Sequence, residues 1–302
     1  MKKFFAYKLA SYAFLGGFVF VANSASVFAT EPMPSHLQSP DLKAVALRYD
    51  VKEPKKIDLA YDVYAGGFKA LRADLELDLA QKAYDMELKT STQGFIGGLF
   101  PWSATYNTSG HAENGKLLPT IHTAKSQWKQ KVKLTEMTFD PKGNLLKTVV
   151  QDGEKNKVER DIKKELSQDA VDMLTGTLLM MQSTKNTEKC AGSYPVFDGK
   201  RRFNITLKDD GTELIKQTKF STFSGKALKC TVKVEPVAGF NAKDQKRGWM
   251  AVQNHTEARH KPPTIWFAKV DDNKNTPVVP VRMEIASDYG SVVAHLTSKT
   301  EP

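Results

Sequence analysis

Apolar and polar residues alternate along most of this chain, which is typical of strands that bury one face. In the clearest run, every second residue from Leu71 to Leu79 is apolar and four charged residues lie between them. Further alternating runs lie at residues 57–63, 84–88, 203–207, 227–236, 264–270, 278–287 and 291–297. The pattern predicts about a dozen strands.

One segment has helical spacing instead. Apolar residues recur every three or four positions from Ala170 to Met181, with Ser167 or Asp169 available as the N-cap. These apolar residues extend around more than one face, as expected for a helix buried against a sheet. We therefore predict a mainly β fold, a curved antiparallel sheet (an open barrel or β-spiral) wrapped around one buried helix.

Three local patterns give finer predictions. Asp209-Asp210-Gly211 has the residues of a tight turn and predicts a hairpin. Residues 126–134 alternate lysine with apolar residues, which predicts one strand with Trp128, Val132 and Leu134 on a shared face. The apolar, glycine-rich segment 94–102 predicts a loop or short helix that packs closely or moves.

The N-terminus resembles an export signal. Lysines at positions 2, 3 and 8 precede an apolar run from Ala10 to Ala22, which is shorter than the roughly 20 residues that span a bilayer. Small or modest residues at Val27-Phe28-Ala29 predict cleavage after Ala29. An uncleaved N-terminal anchor is the alternative. The lysine-rich opening is typical of bacteria, so we predict a periplasmic protein that does not span the membrane after cleavage.

Composition, proline positions and the lack of long linkers predict the domain organisation. The chain has 302 residues, 40% hydrophobic and 26% charged, which is ordinary for a globular protein and excludes a disordered or collagen-like chain. Residues 1–29 are the predicted signal peptide, and the proline-bearing segment 30–42 is a predicted flexible leader. No long low-complexity linker interrupts the remainder, so residues 43–302 are predicted to form a single β-rich domain.

The chain contains two cysteines, Cys190 and Cys230. An even pair in an oxidising compartment predicts one structural disulfide. Cys230 alternates in phase with Val232 and Val234, which predicts a core-facing position. No C-x-x-C motif is present, which argues against a thiol oxidoreductase.

The motifs of enzymes and metal sites are incomplete. The six histidines show no recognised ligand spacing, so we predict no metal and no cofactor. Ser126-x-x-Lys129 matches one penicillin-binding motif, but its companion motifs S-D-N and K-T-G are missing. Gly110 to Lys116 resembles a phosphate-binding loop, but Leu117 replaces the required hydroxyl residue. We therefore predict that the protein is not an enzyme.

Three basic stretches have an aromatic neighbour: Lys125 to Lys133, Lys200 to Arg202, and Lys243 to Arg247. The net charge is +10 and falls to +7 when the lysines of the signal peptide are removed. Nucleic acid is scarce outside the cytoplasm, so no nucleic-acid partner is expected. An anionic lipid or glycan surface is one interpretation of these stretches, and ordinary solvated strand faces are the other.

A set of short motifs resembles a known exported family. The most distinctive is Val196-Phe-Asp-Gly-Lys-Arg-Arg-Phe203, between the two cysteines. Further matches are Tyr64-Ala-Gly-Gly67, Gly94, Ala238-Gly-Phe240, Pro280-Val-Arg282 and Asp288-Tyr-Gly290. Together, over roughly residues 57–298, they resemble the family named domain of unknown function 3108 (DUF3108). More loosely, the layout is similar to envelope-integrity β-spiral proteins and to the half-barrels of lipoprotein carriers.

The family has no established activity, so this resemblance implies no catalytic residues. From the motif itself, Arg201, Arg202 and Arg282 are candidates for an anion-binding or ligand-binding rim, and a β-framework held by the disulfide is the alternative. We predict a non-enzymatic envelope protein that binds a lipid, lipoprotein or other amphiphile in the concave face of the sheet. A protein-binding scaffold without a small ligand is a second hypothesis, and a hydrolase of an envelope polymer is a remote third.

Overall fold

The structure is a computed structural model that describes residues 49, 51, 53–245, 250, 253–254, 261–270, 277–287 and 290–300. The predicted signal peptide, its cleavage after Ala29 and the predicted leader at 30–42 lie outside the described residues. Asp288 and Tyr289 of the family motifs also lie outside them.

The described residues form fourteen β-strands and a few helices. The strands are β1 Lys55–Ala65, β2 Phe68–Leu79, β3 Ala83–Thr92, β4 Trp102–Glu113, β5 Lys116–Trp128, β6 Lys131–Phe139, β7 Leu145–Asp152, β8 Val158–Glu159, β9 Ala191–Phe197, β10 Arg202–Ile215, β11 Gly225–Ala238, β12 Thr264–Lys269, β13 Val278–Ser287 and β14 Gly290–Thr300. The helices are α1 Gly94–Leu99, α2 Lys164–Ser167, α3 Met173–Thr187 and α4 Ala242–Gln245.

All fourteen strands belong to one antiparallel sheet. Its order is β8-β7-β6-β5-β4-β3-β2-β1-β14-β13-β12-β11-β10-β9, so β8 and β9 are the edges and the sheet does not close into a barrel. Two runs of sequential neighbours meet where β1 pairs with β14, for example Asp58 with Thr300 and Ala65 with Val292. Sequential antiparallel pairing needs only short turns, and such turns connect β1 to β2, β2 to β3, β4 to β5 and β5 to β6.

The alternating pattern explains which face of each strand is buried. In β2 the apolar residues from Leu71 to Leu79 are buried and their charged neighbours are at least partly exposed. Each fully buried leucine contributes about 2 kcal/mol to folding by the hydrophobic effect. The period-two prediction for this strand is confirmed.

The sheet curls around helix α3. This helix packs against β4 and β5 in one half of the sheet and against β13 and β9 in the other half. A single helix can contact strands so far apart in the order only if the sheet bends around it. The predicted fold class, a curved antiparallel sheet wrapped around one buried helix, is therefore confirmed.

The two ends of the sheet approach each other without pairing as strands. On β6, Met137 and Phe139 share a small buried cluster with Phe197 of β9. The chain just before α3 also covers the β9 edge, because Val171 N donates to Pro195 O (3.1 Å) and Phe197 N donates to Val171 O (2.9 Å). Backbone N–H and C=O groups on the edge of β9 thereby gain hydrogen-bond partners without a further strand.

Two local predictions were wrong, one based on turn residues and one based on alternation. Asp209-Asp210-Gly211 lies inside β10 as an irregularity between Asp209 and Thr212, where Gly211 has φ +79° and its N–H donates to Asp209 Oδ1. An Asp-Gly pair suits such a bulge as well as a hairpin. Conversely, the predicted strand through 126–134 is broken by a turn after Trp128, where Lys129 has φ +53°. Trp128 consequently faces the core, whereas Val132 and Leu134 face outward.

The helix is where the sequence predicts it, but it begins later than predicted. Its N-cap is Asp172, not Ser167 or Asp169, and the helix extends to Thr187. The chain just before this N-cap pairs with β9 through Val171 instead of forming the first turn of the helix.

Candidate functional site

A buried polar cluster fixes the N-terminus of α3 to the sheet. Asp172 is fully buried and caps the helix, accepting hydrogen bonds from the N–H groups of Leu174 (3.0 Å) and Thr175 (3.1 Å). The Thr175 hydroxyl donates to the second carboxylate oxygen at 2.6 Å and also lies 2.8 Å from the Tyr84 hydroxyl of β3. These polar groups thus satisfy one another in the core.

Two strand residues complete this cluster. Thr108 of β4 donates to Asp172 Oδ1 at 2.8 Å, and His122 Nδ1 of β5 lies 2.7 Å from the Thr108 hydroxyl and 3.1 Å from Asp172 Oδ1. Burial raises the pKa of Asp172. The neighbouring His122 and the hydrogen bonds from Thr175 together lower it by more than burial raises it, so the pKa lies below its usual range.

The cluster superficially resembles a hydroxyl–His–Asp catalytic triad. In that arrangement the imidazole uses one nitrogen for the nucleophile and the other for the carboxylate. Here Thr108 and Asp172 both contact Nδ1 of His122, and all three side chains are buried. The geometry fits a structural anchor of the helix and does not fit a proton relay.

The predicted Arg201 lies in a second buried network. Its Nε and Nη2 donate to Asp198 Oδ2 at 2.8 and 2.6 Å, and Asp198 Oδ1 accepts from the backbone of Lys200 and Arg201. The side chain of Arg201 is only 8% exposed. Its guanidinium therefore stabilises the turn between β9 and β10.

Two of the family motifs contact each other at this turn. A Cβ on Gly239, which has φ +79°, would lie 2.4 Å from the Lys200 carbonyl oxygen, so only glycine fits there. The next residue, Phe240, places its ring 5.5 Å from the Arg201 guanidinium carbon. The contact gives the distinctive sequence around residue 200 a structural explanation.

The other two predicted arginines have different partners from Arg201. The Arg202 guanidinium donates to the Gln168 carbonyl, and Arg282 lies in the middle of β13, with two strands between it and β10. Arg282 is 4.7 Å from the centroid of the Trp266 ring and donates to Glu284 at 2.6 Å. Each of the three arginines therefore contacts a different partner, and Arg282 lies on a strand distant in the sheet order from β10.

The predicted disulfide is present. Cys190 follows α3 and Cys230 lies in β11, and they are bonded with a Cα–Cα distance of 5.5 Å. Both residues are buried, as the alternation around Cys230 predicts. The bond connects the C-terminal end of the helix to the sheet, opposite the anchor at Asp172.

The strongest surface feature lies at one end of the sheet, which we call the apolar end. It comprises the exposed side chains Phe68, Phe95 and Leu99. Phe68 begins β2, and the other two lie on α1, which connects β3 to β4. Because neighbouring antiparallel strands reverse direction, the β1–β2, β3–β4 and β5–β6 connections meet at the same end.

These three side chains are far more exposed than large apolar residues usually are. Their exposed fractions are 72% for Phe68, 78% for Phe95 and 52% for Leu99. The segment around α1 is also uncharged, because no Asp, Glu, Lys, Arg or His occurs from Thr90 to Gly110. The combination of exposure and lack of charge identifies this end as a candidate interaction surface.

The backbone of α1 lies close against the end of β3. Gly97 N donates to Gln93 O at 2.9 Å, and a Cβ on Gly97 would lie 2.9 Å from the Thr92 carbonyl oxygen. The Thr92 hydroxyl donates to Phe100 O at 2.8 Å. Ile96 packs against the core, so Phe95 and Leu99 face outward.

Lysines lie beside the apolar end. Lys129 occupies the β5–β6 turn, where its N–H donates to Pro101 O next to α1, and Lys155 lies in the connection from β7 to β8. Neither of these two lysines forms an ion pair within the described part of the chain. Lys131 and Lys157 are also nearby, paired with Asp152 (3.1 Å) and Glu136 (3.9 Å). Lys129 and Lys155 thus place positive charge next to the apolar end, with Glu154 as the acidic neighbour of Lys155.

The sequence points to only part of this surface. The basic stretch Lys125 to Lys133 is a candidate for contact with an anionic lipid, whereas the alternation pattern does not mark Phe68, and the segment 94–102 is predicted only to be a loop or short helix that packs closely or moves. The uncharged stretch from Thr90 to Gly110 is the signal that would have marked it.

The described residues hold neither an arranged set of metal ligands nor a long apolar helix. No group of three or more His, Cys, Asp or Glu side chains is placed to hold a metal ion there. Within the same residues, none of the helices combines the length and apolar character needed to cross a bilayer.

Comparison with known proteins identifies one family. The family model described as "Protein of unknown function (DUF3108)" matches residues 60–297. The comparison with curated proteins gives no match. Among solved structures, the chain is similar to a beta-barrel-like protein of domain of unknown function DUF1849 from Brucella abortus, with 12% identity, 83% of this chain and 99% of that chain covered, and a TM-score of 0.43.

Proposed function

The chain belongs to the DUF3108 family, as its motifs predict, and from this premise we propose that it is a non-enzymatic cell-envelope protein that binds anionic lipid surfaces through the apolar end. The observation that carries the proposal is the exposure of Phe68, Phe95 and Leu99 beside lysines at one end of the sheet. Aromatic and aliphatic side chains that enter the acyl boundary, next to lysines that meet the headgroups, are typical of proteins that bind at a membrane interface.

This proposal changes the predicted binding surface but keeps the predicted class of ligand. The sequence predicts an amphiphile in the concave face, and in the structure helix α3 packs on that face with most of its side chains buried. An exposed end with three solvated apolar side chains is a better candidate for contact with lipid.

The charge pattern favours a lipid surface over a protein partner. A protein scaffold would also cover the apolar side chains, but the uncharged α1 segment and the neighbouring lysines match an acyl layer beneath a layer of phosphates. Each lysine near an anionic membrane contributes about 1 kcal/mol of attraction. A protein partner is the alternative outcome of the experiment below.

The compartment is part of the same proposal. The periplasm is supported by the signal-like residues 1–29 and by the Cys190–Cys230 disulfide, because disulfides persist in oxidising compartments. In that compartment, membrane phospholipid is one anionic surface that the protein would meet.

Binding to vesicles tests the proposal. The mature protein is expected to sediment with vesicles that contain phosphatidylglycerol, and to do so less at high salt because salt screens the lysines. Replacing both Phe95 and Leu99 with serine should weaken binding about 100-fold, since about 3 kcal/mol of apolar burial is lost. Sedimentation over a range of lipid concentrations gives the partition coefficient.

A matched variant separates this surface from general surface hydrophobicity. Leu146 and Leu214 are also exposed, at 65% and 69%, but lie toward the other end of the sheet. The Leu146→Ser/Leu214→Ser variant should bind as the wild type does. Equal binding by the two double variants, or no binding of the wild type to any anionic vesicle, would refute the proposal and favour a protein partner.

A further inference from the structure

A pocket opens on the outer face of the sheet beside the apolar end. It has a volume of about 390 Å³ and is formed by β5, β6, β7 and the two turns next to them. Val132 and Leu134 are its apolar side chains. Leu134 is three positions from the buried Met137 on the same strand, so the two side chains lie on opposite faces.

A positive, a negative and two amide side chains line this pocket. Lys125 is directly across from Leu134 on β5, and Gln151 is across from Leu134 on β7, so one row of side chains crosses the pocket. Gln130 and Glu154 come from the adjoining turns. The hydrogen bond from Gly153 N to Val132 O, at 2.7 Å, holds the Glu154 turn against β6.

The pocket carries one positive and one negative side chain that are not paired with each other. Lys125 and Glu154 form no ion pair with any residue that the structure describes, whereas Lys131 and Asp152, close by, are paired at 3.1 Å. An ammonium and a carboxylate that both lie at one pocket and are not paired with each other suit a ligand that carries both charges.

We propose that this pocket binds the phosphoethanolamine headgroup of a phospholipid, an inference that rests on the proposed function. Lys125 pairs with the phosphate, the Gln130 and Gln151 amides donate to its oxygens, and Glu154 accepts from the primary ammonium. Val132 and Leu134 contact the two carbons between the charges. A phosphocholine headgroup fits less well, because its trimethylammonium is larger and has no N–H to donate.

Vesicles of matched charge test the headgroup preference. When phosphatidylethanolamine replaces part of the phosphatidylcholine at constant phosphatidylglycerol, the wild type is expected to bind about fivefold more tightly. Glu154→Gln and Lys125→Gln should abolish this preference and leave binding through the apolar end in place. The matched variants Glu113→Gln and Lys116→Gln, at the other end of the sheet, should retain it.

A soluble probe separates a lipid headgroup from the free compound. Adding O-phosphoethanolamine should shift the amide NMR signals of Gln130 and Gly153, and phosphocholine should not. A wild type that binds both vesicle types equally, or a preference that survives Glu154→Gln, would overturn the pocket assignment while vesicle binding itself still supports the proposed function. If no vesicle binds but O-phosphoethanolamine shifts these signals, the pocket stands as a site for the free compound and the proposed function fails.

Discussion

Replacing Asp172 with alanine is expected to lower the free energy of unfolding by about 3–5 kcal/mol. The substitution removes the N-cap of α3 and leaves His122, Thr108 and the Thr175 hydroxyl without their buried carboxylate partner. Loss of a helix cap alone costs about 1 kcal/mol, and the unpaired buried groups account for the remainder. Urea unfolding of wild type and variant, followed by circular dichroism, measures the difference.

A second variant separates the charge of Asp172 from its role as a cap. The side-chain amide oxygen in the variant Asp172→Asn can still accept the helix N–H bonds, so a smaller loss of about 2 kcal/mol is expected. Because the folded-state pKa of Asp172 lies below the unfolded value, its ionised form stabilises the protein fully above the unfolded pKa of about 3.9. That contribution is lost as the pH falls through the lower folded-state pKa, so wild type and Asp172→Asn should converge in acid.

The exposed Asp161 provides the control for these variants. Asp161→Ala should change the free energy of unfolding by less than about 0.5 kcal/mol. If Asp172→Ala is as mild as this control, the buried cluster does not anchor the helix.

Removal of the disulfide is expected to lower the free energy of unfolding by about 4 kcal/mol. Cys190 and Cys230 are separated by 40 positions, and a crosslink of this span removes much of the conformational entropy of the unfolded chain. The Cys190→Ala/Cys230→Ala variant should therefore unfold at a clearly lower urea concentration than the oxidised wild type.

Chemical reduction gives an independent test of the same bond. A reducing agent should lower the unfolding midpoint of the wild type to near that of the double variant and leave the variant unchanged. If reduced and oxidised wild type unfold at the same urea concentration, the disulfide does not contribute to stability.

Much of the fold can be predicted from the sequence because the buried residues of an antiparallel strand recur at every second position. The run from Leu71 to Leu79 needs no long-range information to identify its buried face. The same holds for the helix, whose spacing from Ala170 to Met181 differs visibly from that of the strands. Turn chemistry is less decisive, since Asp209-Asp210-Gly211 can form either a hairpin or a bulge and the register with β11 decides between them.

The candidate site was only half predictable because its parts are distant in sequence. Phe68 and Phe95 become neighbours in one surface only through the order of the strands, which local patterns do not specify. The interpretation of Arg201 as part of an open rim missed a partner that the sequence does contain. Asp198 lies three positions upstream, across a tight turn, and pairs with the guanidinium.

The most direct test of the account is the depth of the apolar end in a bound membrane. Phe95→Cys, labelled with an environment-sensitive fluorophore while the native disulfide stays intact, reports on this position. On addition of phosphatidylglycerol vesicles, its emission should shift to the blue and be quenched by brominated acyl chains, and the same label at Leu146→Cys should do neither. A label at position 95 that stays in water while the protein sediments with the vesicles would contradict the account.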